Sequence, residues 1–79
     1  MKVKHKVFRN LYQDSVSLMQ ISAQLSTLPG IQQASVIMGT PTNLEQLNDA
    51  GLGHMIEAGP NDLVIAVMGE DARCTEALT

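Results

Sequence analysis

Tryptophan is missing from this chain, which has a single phenylalanine, a single tyrosine and a single cysteine. With so few rings, any core must be built from aliphatic side chains and the five methionines. One cysteine, Cys74, excludes an internal disulfide and fits a reducing, cytoplasmic compartment. No apolar run approaches the roughly 18 residues of a membrane span. The N-terminus is charged and lacks an apolar segment, so it does not read as a secretory signal. Charge is scarce as well: Asp, Glu, Lys and Arg make up 16% of the chain, against roughly 25% in ordinary soluble domains. A small chain with so little charge suits a domain that hides one face against a partner. The motifs of phosphate loops, dinucleotide folds, zinc peptidases and serine hydrolases are all missing.

The 79 residues present are enough for one small domain spanning 1–79. Such a domain buries only roughly 60% of its unfolded surface and is marginal alone. The net charge of −3 is unevenly placed. Lys2, Lys4, Lys6 and Arg9 crowd the first nine residues, and the acidic residues begin at Asp14. Without stacking aromatics, these four cations make a solvated strand edge rather than a nucleic-acid surface. Lysine there discourages unwanted strand pairing.

Residues 2–9 alternate, with Val3, His5 and Val7 on one side and Lys4, Lys6 and Phe8 on the other, which predicts a strand. Asn10 to Ser15 is a polar turn in which Asp14 and Ser15 are natural helix caps. Leu18, Ile21, Leu25 and Leu28 then form an amphipathic stripe, ended by Pro29-Gly30. Residues 31–39 predict a second strand, with Ala34, Val36 and Met38 opposite Ser35 and Ile37. Thr42-x-x-Glu45 has the form of a capping box, predicting a short helix over 43–50 closed by Gly51. Leu52, Met55 and Ile56 are expected to tuck under the domain from the following loop. Asn61-Asp62 reads as a turn. Leu63 to Met68 is the most apolar run in the chain and predicts a central strand covered on both faces. Asp71 is expected to cap a last helix through Leu78.

The order β-α-β-(α)-β-α predicts an α+β, ferredoxin-like (ACT-like) fold with a three-stranded sheet and the fourth strand missing. The third strand should pair with the first. A small parallel α/β sheet is the rival arrangement. A three-stranded sheet leaves an open edge, so a homo-oligomer or other domains are the expected partners, with no nucleic acid and no membrane.

His5, His54 and Cys74 are the only soft donors and lie far apart in sequence, so no metal site is expected. Candidate ligand-binding residues are Gln13, Asp14 and Ser15 before the first helix and Thr40, Thr42 and Asn43 before the second. Free N–H groups and the positive end of a helix dipole could meet an anion there. The plainer reading is that these side chains cap their own helices.

Three blocks carry a resemblance: Gln13-Asp14-Ser15-Val16-Ser17-Leu18-Met19, Val36-Ile37-Met38-Gly39-Thr40-Pro41-Thr42-Asn43, and Pro60-Asn61-Asp62-Leu63-Val64-Ile65-Ala66-Val67. In order and spacing the chain resembles the N-terminal segment of the FdrA family. Those proteins are much longer and are similar to acyl-CoA synthetases of the succinyl-CoA ligase type, with links to purine and allantoin breakdown. The resemblance implies an accessory domain. Any CoA or nucleotide would bind in parts of the parent protein beyond these residues, and no catalytic residue carries over.

Overall fold

The computed structural model describes residues 2–53 and 56–78. The elements run β1 (Lys2–Phe8), α1 (Ser15–Ser26), β2 (Ile31–Met38), α2 (Pro41–Asp49), β3 (Leu63–Gly69) and α3 (Asp71–Ala77). The sheet order is β1-β3-β2. Both neighbours run antiparallel to β3, with Phe8 and Met38 opposite Leu63 at one end and Lys2 and Ile31 opposite Gly69 at the other. This is the split β-α-β arrangement, α+β and ferredoxin-like, and the parallel alternative is ruled out. Among the described residues no helix is long and apolar enough to cross a membrane.

The apolarity of β3 explains its central place. Leu63, Ile65 and Val67 pack into one cluster with Ile31, Val36, Met38 and Cys74, against Leu18, Ile21 and Leu25 of α1. Val64 and Ala66 face the other side, with Leu47 of α2 and Leu52 beyond it. Alternation therefore puts the two halves of one strand into two separate cores. Ile56 packs half-buried in the second cluster, as does Val7 from β1. Met55 and His54 lie outside the described residues.

Several boundaries differ from the sequence expectation for local reasons. Helix α1 ends at Ser26 with Thr27 as C-cap, a turn before Pro29, so Leu28 falls outside the stripe and is 40% exposed. Helix α2 begins at Pro41 instead of 43. The fixed φ of proline suits the first helical position, which makes Thr40 the cap: its Oγ1 accepts the Asn43 N–H at 3.2 Å. The expected Thr42 capping box is therefore not used, and Thr42 sits exposed in the first turn. Gly51 follows the helix with φ +76, in its expected closing role. Helix α3 is preceded by Glu70, which makes no side-chain cap, and Asp71 lies inside the first turn. There Asp71 pairs with Lys4, whose Nζ lies 2.7 Å from its carboxylate.

Candidate functional site

The most constrained polar group lies at the sheet end where β1 finishes and β3 starts. Asp62 is 7% exposed, the one buried charged residue among those described. Its Oδ1 accepts the Asn10 N–H at 2.9 Å, and its Oδ2 accepts the Gly59 N–H and Arg9 Nη1, both at 2.9 Å. Asn10 holds a left-handed φ of 55, which an asparagine tolerates better than most residues. The Asp62 carbonyl in turn accepts the Gly39 N–H. One side chain and its own backbone thus tie the β1–α1 turn, the end of β2 and the 59–62 turn together. In the sequence Asn61-Asp62 reads as no more than a turn. The available signal was an acidic residue directly before the most apolar strand, with a lone Arg9 ending its antiparallel neighbour.

The Asn10 and Gly59 amides, helped by Arg9, hold the Asp62 carboxyl below the ordinary 3.8. A depressed carboxylate contributes stability that is full above its unfolded value and is lost as pH falls through the folded value. Unfolding temperature is therefore expected to drop as pH falls below about 4. Asp62→Asn should lower it at neutral pH and flatten that acid limb, because the amide turns a donor toward donors. A thermal melt series from pH 2 to 7 checks this; an unchanged acid limb in the variant would assign the dependence to other carboxylates.

The six sequence-predicted residues fall into two groups on opposite faces. Asp14 is the N-cap of α1, its Oδ1 accepting the Ser17 N–H at 2.8 Å, and that bond holds its carboxyl low. Ser15 opens the helix, and Gln13 is half-buried just before it. Thr40 caps α2, and Asn43 Nδ2 donates to the Met38 carbonyl at 2.9 Å. Helix α1 belongs to the first core cluster and α2 to the second, so the sheet stands between the two groups. Asn43 alone of the six lines the cleft between β2 and α2. This cleft, about 270 Å³, is also bordered by Gln33, Ser35, Ile37 and Gln46. Its polar lining is carboxamide and hydroxyl, without a formal charge.

Cys74 is fully buried on α3, its thiol donating to the Lys2 carbonyl at 3.7 Å. His5 is exposed on β1. Among the described residues no three of His, Cys, Asp or Glu are grouped to hold a metal ion.

No solved structure matches. "Uncharacterized protein YahF" of Escherichia coli (strain K12) is 39% identical over 80 residues, covering 99% of this chain and 16% of that protein. The chain thus spans about a sixth of its relative's length. A family model described as "AllF, heavy metal-associated domain" matches residues 1–79. Among the described residues the donors do not fit a heavy-metal ion, because the one thiol is sealed in the core and no three of His, Cys, Asp or Glu are grouped. Matched over its whole length, the chain belongs to the AllF, heavy metal-associated domain family.

Proposed function

We propose that this chain serves as a non-catalytic accessory and docking domain of a longer, FdrA-like protein related to acyl-CoA synthetases. The observation that carries the reading is one of scale. The chain matches a sixth of a longer relative, yet it closes its own two-sided core around β3. A unit of that kind is an attachable module, and the two outer strands β1 and β2 are where it attaches. A reducing, cytoplasmic compartment suits its buried thiol.

The test is to express this chain and the remaining polypeptide of its longer protein separately and mix them. Co-elution is expected, together with no thermal shift of the chain alone on adding CoA, ADP or ATP. Separate elution, or a saturable shift with any of the three, would overturn the reading.

A second reading, an ACT-like small-molecule module, is favoured by the uncharged cleft between β2 and α2. Its size is near the lower end of the range for ligand sites. A thermal-shift panel of amino acids and ureides separates the two. A shift abolished by Asn43→Ala supports the module, and a flat panel removes it.

A further inference from the structure

The two open sheet edges differ in charge. Residues 15–44 contain no Asp, Glu, Lys, Arg or His, and they build all of α1, all of β2 and the first turn of α2. Edge strand β1, by contrast, carries Lys2, Lys4 and Lys6, with Lys4 ion-paired to Asp71. Lysines on an edge oppose pairing, and a second β1 laid alongside would set like charges against each other. Strand β2 carries no such charge; a register shift interrupts it between Ile31 and Gln33, and the Ala34 and Met38 carbonyls already accept from Ser22 and Asn43.

The helix over β2 points the same way. Ser22 marks the flank of α1 that overhangs the β2 edge, because its Oγ donates to the Ala34 carbonyl at 3.4 Å. At 3.6 residues per turn, Ser15, Ser26 and Met19 lie within about 60° of Ser22 and share that flank. Three serines allow close backbone approach. Met19 supplies apolar area and is 71% exposed, while Val16, one step further round, is 64% exposed. A large methionine held in solvent beside an uncharged strand edge has the composition of an interface core. Asn43 takes up the Met38 carbonyl at one end of the strand.

We propose that the chain pairs with a second copy of itself through β2. The two β2 strands run antiparallel across a two-fold axis, two three-stranded sheets become one of six strands, and the α1 helices meet along the flank of Ser15, Met19, Ser22 and Ser26. This assignment goes beyond the docking reading: it adds a second copy, on β2, to the remaining polypeptide as partner. The argument for a second copy is the self-complementarity that a two-fold contact demands, each patch facing its own duplicate. An uncharged patch meets that demand and a lysine-bearing one does not. A different partner could offset the lysines with acids, and β1 would then serve it as well as β2. A strand seam alone falls short of the roughly 800 Å² per partner of a standard interface; the α1 flank extends it through the thickness of the domain.

Light scattering on the purified chain should give twice the 8.5 kDa chain mass. Met19→Glu with Ser26→Glu, both at exposed positions, should return the single-chain mass with the circular dichroism spectrum unchanged. Lys2→Glu on the other edge should leave the dimer intact. Independently of any loss of folding, Ser26→Cys should give a covalent dimer under mild oxidation and Lys2→Cys should not, Cys74 being sealed in the core. A wild-type monomer at millimolar concentration, a dimer indifferent to the glutamates, or cross-linking at Lys2→Cys but not at Ser26→Cys would each overturn the proposal. Co-elution with the remaining polypeptide reads the docking role separately. A monomer that still co-elutes loses only the self-pairing, whereas a dimer that fails to co-elute loses the docking role.

Discussion

Gly69→Ala is expected to be among the most destabilising single-methyl additions available in this chain. Gly69 ends β3 opposite both Lys2 of β1 and Ile31 of β2. A Cβ there would fall on the Gly30 carbonyl oxygen and lie 3.0 Å from Ile31 Cα. These are backbone atoms, so no rotamer change relieves the clash. Gly30 cannot shift freely either, since it holds φ +81 and its carbonyl accepts the Glu70 N–H at 3.0 Å. Opening the strand end therefore breaks the lead-in to α3 as well as the β2–β3 pairing. Overpacking typically costs about 1–3 kcal/mol, occasionally more, and a backbone clash belongs at the upper end, roughly 3 kcal/mol. For a domain this small that corresponds to a fall of roughly 12–24 °C in unfolding temperature. It is also a large share of the about 4–12 kcal/mol that a chain of this length holds in all. A scanning melt measures it directly, and a fall of only a degree or two would show that the Gly30–Ile31 turn yields without cost.

Much of the layout was legible because it rests on short-range pattern. The six apolar residues from Leu63 to Met68 identify the central strand, since only a strand covered on both faces tolerates a run without polar alternation. Val36 and Met38 opposite Ile37 in β2 likewise predict two faces, and these became the two clusters. Helix boundaries were less legible where neighbouring residues compete for one role. Thr40 and Thr42 are both good caps, and the proline between them decides for Thr40. Asp71 is a good cap, yet it falls one residue inside α3 and pairs with Lys4 of β1. Asp62 was illegible for a related reason: its three donors come from residues 9, 10 and 59, and only the antiparallel register brings residues 9 and 10 beside it. In the sequence the candidate ligand residues form two similar strand-to-helix turns. Nothing local indicates that the two helices leave on opposite faces of the sheet, which separates the groups.

Leu47→Ala is expected to cost about 2–5 kcal/mol, the range for truncating a buried leucine, and to loosen one face of the sheet before the other. Leu47 is 3% exposed and is the buried residue of α2. It meets Leu52, Val64 and Ala66, with Ile37, Leu44 and Ile56 around them. This cover is thinner than on the opposite face, where α1 and α3 both pack and contribute Leu18, Ile21, Leu25 and Cys74. A nine-residue helix such as α2 is not stable in isolation, so its persistence depends on that one anchor. Truncation leaves a cavity that Ala66 and Val64 are too short to fill, and the second cluster loses the residue that joins helix to strand. Hydrogen exchange should then show the amides of α2 and of residues 51–53 losing protection first, while β3 stays protected until global unfolding. Leu44→Ala, at a half-buried position on the same helix, should give a smaller effect in the same direction. If α2 in the Leu47→Ala protein exchanged as slowly as β3, the two faces would unfold as one unit and the single-anchor account of α2 would fail.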